Sequence, residues 1–211
     1  THEVSDTPSF LAYFTRYSVN PTINAFRGSL TVDAVLDDHA NGSSRDHSGH
    51  HLKRVYVKSR RFLRWLELNR KPQTQAEFAT FLEDALRDVL IPDHGSLMQL
   101  ILNFKAFKNS TLQSSVDLAN GDVAFNFMAD SKSSGEARFP DHLTLRVPVF
   151  QDEPREWDIA ARLRHRVDGN TGKLSFWYEL VEIDDLVDAA FTQAVADLQA
   201  QLTGHTILRC P

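Results

Sequence analysis

Residues 161–181, ARLRHRVDGNTGKLSFWYELV, decide the fold that this sequence predicts. Apolar and polar residues alternate on both sides of a turn-rich centre, DGNTG, which is typical of two antiparallel strands joined as a hairpin. A loop of four residues, 168–171, sets the register of this hairpin. The pairs across the strands are then Arg166 with Lys173, Arg164 with Ser175 and Arg162 with Trp177. A shift by one residue would place the arginines against apolar side chains, which is why this pairing is favoured.

One face of the predicted hairpin carries basic and aromatic side chains. They are Arg162, Arg164, Arg166, Lys173 and Trp177. Cationic groups contact phosphates and an indole ring stacks on a base, so the combination is typical of a surface that holds single-stranded nucleic acid. The other interpretation is structural: Glu179 and acidic residues from elsewhere pair with the arginines, or another element covers the tryptophan.

The rest of the chain predicts hairpins and helices in separate runs. Helices are predicted from a cap at Thr7, from the capping box of Thr74 and Glu77 as far as Pro92, from Ser96, and from a cap at Asp184 or Asp185 as far as Gly204. Further strands are predicted at 28–36 and 52–58 as one hairpin, at 112–118 and 123–129 as another, and at 143–149. This order predicts an α+β fold, a largely antiparallel β-sheet of meanders and hairpins packed with about four helices.

The composition is that of an ordinary globular protein. The 211 residues are 42% hydrophobic and 24% charged, with a net charge of -5, which excludes a disordered chain. A chain of this length can bury one core, so we predict a single domain over residues 1–211. The sequence starts at Thr1 without a methionine, and we therefore expect that it lacks a natural N-terminal segment. The single cysteine favours the cytoplasm, and no apolar stretch is long enough to span a bilayer.

Positive charge is concentrated in one further segment, residues 53–71. This segment holds eight basic residues and one acid, Glu67. The basic residues are Lys53, Arg54, Lys58, Arg60, Arg61, Arg64, Arg70 and Lys71. Within an acidic chain, such a segment points to a partner that carries phosphate.

A segment rich in aspartate and histidine surrounds the end of the first predicted strand. It contains Asp37, Asp38, His39, Asp46, His47, His50 and His51. These groups can bind a divalent transition metal, but most of them fall in a Gly/Ser/Asn-rich stretch without a rigid element to fix ligands. Solvated histidines, with His39 bonded to a neighbouring carboxylate, are favoured. No motif for hydrolysis or for a nucleotide phosphate is complete, and we expect no metal, cofactor or catalytic residue.

Several strings resemble the YfdQ-like family of phage and prophage proteins. They are AVLDDH at 34–39, QAEFATFLEDAL at 75–86, the hairpin at 161–181 and the Ala190-Phe191 pair of the last helix. The resemblance extends over nearly the whole chain, and family members usually carry a further N-terminal segment. It implies a phage gene close to DNA metabolism and recombination, and it implies no catalytic residues.

These observations favour a non-enzymatic phage or prophage accessory protein in the cytoplasm of a bacterial host cell. It would act by binding DNA or another nucleic acid, or a host DNA-processing or defence protein, and not at a membrane. A metal-dependent nucleic-acid-processing enzyme that uses Asp38 and His39 is the second interpretation. A self-assembling structural module is the third, in which unpaired sheet edges form a homo-oligomer.

Overall fold

The computed structural model describes residues 1–38, 49–93, 95–97, 140–167 and 174–211, together with the backbone of three short strands between residues 113 and 137. The chain divides into two compact units. The first unit is Thr1–Arg64, Pro148–Trp157 and Glu182–Pro211, and the second is Trp65–Val147 and Asp158–Val181. That the whole chain forms a single domain stays a prediction.

The described elements are helices and strands in the mixed order that an α+β fold requires, which confirms the predicted class. The helices are α1 (Thr7–Tyr17), α2 (Arg60–Glu67), α3 (Gln75–Asp84) and α4 (Ile183–Gln201), with a 3-10 turn at Leu86–Asp88. The first strands are β1 (His2–Val4), β2 (Thr22–Phe26), β3 (Thr31–Val35), β4 (His51–Val55), β5 (Gln73–Thr74) and β6 (Val89–Ile91). The later strands are β7 (Gln113–Val116), β8 (Val123–Asn126), β9 (Glu136–Ala137), β10 (His142–Pro148), β11 (Glu156–Val167), β12 (Leu174–Leu180) and β13 (Ile207–Cys210).

The first unit is built on a five-stranded sheet in the order β1-β4-β3-β2-β13. Strands β2, β3 and β4 are antiparallel, and Ala34 lies opposite Leu52, which confirms the first predicted hairpin. The edge strands β1 and β13 pair in parallel with β4 and β2. Both Ala34 and Leu52 are fully buried, because alternate residues of these strands face the core.

Two helices of the first unit begin at different residues from those predicted. Asp6 rather than Thr7 caps α1, since its carboxylate accepts both the N–H and the hydroxyl of Ser9, and these bonds lower the pKa of Asp6. Helix α4 follows Glu182, which has a left-handed backbone and makes no side-chain cap. The predicted caps of α4, Asp184 and Asp185, lie inside its first turn, where the helix dipole favours negative charge.

The second unit contains a five-stranded sheet in the order β5-β12-β11-β10-β6. Helix α3 packs against β12: the ring of Phe78 stacks on Phe176, and the ring of Phe81 stacks on Tyr178, both at 5.8 Å between centroids. The buried face of the sheet is thereby filled with apolar side chains. The polar residues of β11 are left on the opposite face, since successive side chains alternate across a strand.

Helix α3 has the predicted start and an earlier end. The capping box of Thr74 and Glu77 is complete, with both reciprocal hydrogen bonds present. The helix stops at Asp84 instead of Pro92, and a 3-10 turn, Leu86–Asp88, follows it. Asp88 of this turn is buried and accepts a hydrogen bond from the Trp65 indole N–H at 2.9 Å. The following residues, Val89–Ile91, form β6 and pair with β10.

A separate three-stranded sheet is described by its backbone alone. Strands β7 and β8 pair antiparallel with Val116 opposite Val123, which confirms the hairpin predicted there, and β9 pairs with β8. The turn residues Asn120 and Gly121 lie outside the described residues, as does most of the helix predicted from Ser96.

Candidate nucleic-acid interface

Three arginines form a row along the exposed face of β11. Arg162, Arg164 and Arg166 are exposed, whereas Ala161 and Leu163 between and beside them are buried. The separation follows from the period of two in a strand, which sends alternate residues to opposite faces. We call these three residues the arginine row.

The pairing of β11 with β12 differs from the predicted register by two residues. The pairs are Arg162 with Glu179, Arg164 with Trp177, and Arg166 with Ser175. The predicted pairs were wrong because six residues, 168–173, separate the strands instead of a four-residue loop. A shift of two leaves every side chain on its predicted face, since the faces alternate with a period of two. Trp177 therefore still lies beside the arginine row, while Lys173 is outside the described residues.

Among the residues that the structure describes, one carboxylate contacts this surface. Glu179 lies 3.5 Å from the Nε of Arg164 and accepts a hydrogen bond from the Trp177 indole N–H at 3.4 Å. The structural alternative, in which Glu179 pairs with an arginine, is thus confirmed for Arg164. Within the described part of the chain, Arg162 and Arg166 have no acidic partner.

A neighbouring arginine on the same sheet is fully paired. Arg146 of β10 donates two hydrogen bonds to Asp158 of β11, at 2.6 and 2.8 Å. The guanidinium holds the pKa of the Asp158 carboxyl below its usual range. Asp158 and the arginine row lie on the same face of β11. That face is therefore neutral at the Asp158 end, where Arg146 balances the carboxylate, and basic at the other end.

His165 adds no charge to this surface at neutral pH. Its side chain lies on the opposite side of β11 from the arginine row and is half-buried, with its ring 6.4 Å from that of Phe176. Burial lowers the pKa of His165, and the nearby Asp141 offsets only part of that effect.

Two arginines of the basic segment at 53–71, Arg54 and Arg61, are held in ion pairs. Arg54 is 1% exposed, and its guanidinium donates to Glu153 at 2.6 Å and to the Tyr56 hydroxyl at 2.9 Å. Burial raises the pKa of Tyr56 to about 12, so the phenol stays protonated. Arg61 pairs with Glu156 at 2.6 Å.

Sequence reasoning therefore misplaced Arg54, although a signal for its burial exists. Arg54 lies on the same face as Leu52 and Tyr56, which are also buried, so it occupies a core position of β4. A basic residue at such a position indicates an internal ion pair rather than an exposed contact.

The aspartate- and histidine-rich segment makes ordinary hydrogen bonds where it is described. His50 bonds through Nε2 to the hydroxyl of Tyr13 at 3.0 Å, and His51 bonds through Nδ1 to the carboxylate of Asp33 at 3.1 Å. Among the described residues, no three His, Cys, Asp or Glu side chains are grouped to hold a metal ion. His39, Asp46 and His47, and with them the predicted His39 hydrogen bond, lie outside those residues.

Comparison with models of protein families gave a match over nearly the whole chain. A model described as an uncharacterized conserved protein, DUF2303, matches residues 1–209. The chain belongs to the DUF2303 family. Neither the curated proteins nor the solved structures gave a match. The arginine row, Trp177 and the Arg54–Glu153 pair of this DUF2303 protein all lie inside the matched residues. No helix in the described ranges has the length and hydropathy needed to cross a membrane.

Proposed function

We propose that this DUF2303 protein is a non-enzymatic accessory protein that binds single-stranded nucleic acid through the arginine row and Trp177. One observation carries the proposal: the three guanidinium groups share one exposed strand face, and those of Arg162 and Arg166 lack an acidic partner among the described residues. Unpaired exposed cations arranged in a line suit a polyanion better than a compact ligand.

The spacing of the arginine row supports a linear partner. Residues two apart in a strand are separated by about 6.6 Å, so the row offers positive charge at regular steps over two such intervals. A sugar–phosphate backbone that runs along β11 can contact each step in turn. Guanidinium groups are suited to this role because their planar donors bind phosphate oxygens in pairs.

Trp177 supplies the contact that a simple basic patch lacks. It lies directly opposite Arg164 and is only partly buried. A base stacked on an aromatic ring contributes about 1 to 3 kcal/mol to single-strand binding, largely independent of base identity. Binding through this surface is therefore expected to tolerate many sequences.

Glu179 opposes nucleic-acid binding in the free protein. It occupies Arg164 and Trp177 at once, and its negative charge repels phosphate. Both bonds are long and the pair is partly exposed, so a phosphate oxygen can replace the carboxylate at small cost.

The phage or prophage part of the proposal has separate support. It comes from the strings at 34–39, 75–86 and 161–181, which resemble YfdQ-like proteins encoded near DNA metabolism and recombination genes. A single-strand-binding accessory protein suits that setting, since recombination exposes single strands.

The test is fluorescence anisotropy with labelled single-stranded and double-stranded DNA at low salt. We expect Arg162→Gln/Arg166→Gln and Trp177→Ala each to weaken single-strand binding by about tenfold or more. Glu179→Gln is expected to strengthen binding, because it removes the competing charge. Arg16→Gln, which removes an exposed arginine of the first unit, is the matched control and should bind as the parent does.

Circular dichroism of each variant separates loss of binding from loss of fold. Unchanged affinity in a folded Arg162→Gln/Arg166→Gln variant would contradict the site. Absence of binding by the parent protein at low salt would contradict the function and direct the search to a host DNA-processing or defence protein.

A further inference from the structure

His142 is an exposed residue on the strand next to the arginine row. It begins β10, and Leu143 beside it is buried. Because side chains alternate across a strand, His142 lies on the same face of β10 as Arg146, which is bonded to Asp158 of β11. That face of the sheet is also the one that carries the arginine row.

The register of β10 against β11 follows from two contacts. The N–H of Leu163 donates to the carbonyl of Asp141 at 2.7 Å. The side chains of Arg146 and Asp158 are bonded to each other by two hydrogen bonds. Both contacts fit one antiparallel register, in which Leu163 is opposite Asp141 and Asp158 is opposite Arg146.

This register places His142 directly opposite Arg162. Leu163 and Asp141 form a hydrogen-bonded pair, so the adjacent pair, Arg162 and His142, is one without backbone hydrogen bonds. The Cα atoms of such a pair are about 4.5 Å apart, and the two side chains leave the sheet on the same face. One phosphate can therefore accept hydrogen bonds from the guanidinium and the imidazole together.

The β11 side of His142 is basic. Arg162 lies opposite it, and Arg164 lies diagonally across, two residues further along β11. Glu179 of β12 is beyond Arg162, and its carboxylate contacts Arg164. Among the described residues, His142 itself has no hydrogen bond or ion pair. Its imidazole is thus available to a phosphate that reaches the arginine row.

The remaining charged neighbours of His142 are engaged or face away. On the other side of β10, strand β6 is followed by Asp93, whose carboxylate accepts hydrogen bonds from Gly95 and Ser96. Asp141 adjoins His142 in sequence but lies on the opposite side of the sheet, where its charge acts on His165. In the described part of the chain, a phosphate at His142 therefore meets mainly basic groups.

We propose that His142 is a fourth phosphate-binding residue of the nucleic-acid interface and binds as the imidazolium, an inference that rests on the proposed function. Histidine changes its charge between pH 5 and 8, and a phosphate beside the ring favours the charged form. Binding therefore takes up a proton, so the affinity for single strands rises as the pH falls. The arginine row alone gives no such dependence, because guanidinium groups stay charged throughout this range.

The test is fluorescence anisotropy of the full chain with labelled oligodeoxythymidylate at pH 8 and pH 6 and at constant salt. We expect the affinity of the parent to be about fivefold higher at pH 6. His142→Gln should match the parent at pH 8 and lose most of the gain at pH 6. His142→Lys, which is charged at both pH values, should bind equally at both and more tightly than the parent at pH 8.

His165→Gln is the matched control. His165 is a histidine of the same unit on the opposite side of β11 from the arginine row, so its replacement should leave the pH dependence of binding unchanged. Circular dichroism at both pH values separates an effect on binding from loss of fold.

Two results would overturn the role of His142. They are an affinity of the parent that does not change with pH, and a gain at pH 6 that is as large in folded His142→Gln as in the parent. Neither bears on the arginine row, which is tested by Arg162→Gln/Arg166→Gln at a single pH. Absence of DNA binding by the parent at both pH values would instead overturn the proposed function and this inference with it.

Discussion

Arginines that are alike in sequence have two different roles in this protein. Arg54 is buried in an ion pair with Glu153, whereas Arg162 is exposed on a strand face. Both lie in strands where polar and apolar residues alternate. The difference is the phase of the alternation, since Arg54 shares its face with the buried Leu52 and Tyr56. Phase, rather than local charge density, therefore decides which arginines are available to a partner.

Removing one partner of the buried pair should be costly. Glu153→Leu leaves the guanidinium of Arg54 buried without its carboxylate, and we expect the free energy of unfolding to fall by about 3 kcal/mol or more. Arg54→Met/Glu153→Leu removes both charges and should regain much of that loss. Urea unfolding of the parent, Glu153→Leu, Arg54→Met and the double variant measures this coupling. Losses that simply add in the double variant would show that the two residues are not coupled.

Acid should destabilise the protein partly through His165. Because burial lowers its pKa, the folded state binds a proton less readily than the unfolded state. The stabilising effect of the neutral ring is therefore complete above the unfolded pKa of about 6.5 and is lost as the pH falls below it. We expect His165→Gln to show a smaller decrease in melting temperature between pH 7.5 and 5.5 than the parent. An equal decrease would contradict this role.

At the scale of elements, strong local signals were reliable and long-range pairing was not. The capping box predicted the start of α3, whereas its end at Asp84 was not predicted. The residues after it include Asp88, which is buried and bonded to Trp65, 23 residues away in sequence. The register of β11 and β12 depends on the number of residues in the loop between them. Alternation alone does not determine this number, because registers that differ by two residues place the same side chains on the same face.

Some elements have weak sequence signals and were not predicted. The short strands β1, β5 and β13 have four residues or fewer and are defined by pairing with partners distant in sequence. Helix α2, RRFLRWLE, was interpreted only as basic charge, although Phe62 and Trp65 on it are fully buried. Tertiary contacts, rather than local preference, specify these elements.

The cap of α3 can be tested by itself. Thr74→Ala removes the hydroxyl that accepts the Glu77 N–H and should destabilise the second unit by about 1 kcal/mol. Thr74→Ser keeps the hydroxyl and should cost much less. Thermal unfolding compares the two, and an equal loss in both variants would indicate that the cap contributes little.

For the whole molecule, the sequence predicted the fold class and the face of the candidate site but not its pairing. Alternation is sufficient to place Arg162, Arg164, Arg166 and Trp177 on one face of a sheet, and the structure has them there. The carboxylate that competes for this face depends on distances that no pattern encodes. Oligomer formation stays a prediction, although the edge strands of both five-stranded sheets are short, which limits pairing between chains.

The most direct test of the central claim is the salt dependence of single-stranded DNA binding, compared between the parent protein and Arg162→Gln/Arg166→Gln. Each phosphate contact contributes about 0.7 to the slope of log affinity against log salt for single strands. The account predicts saturable binding whose slope is reduced by about 1.4 in the double variant, with the fold intact. Equal slopes and affinities in the two proteins, or no binding by the parent at low salt, would contradict it.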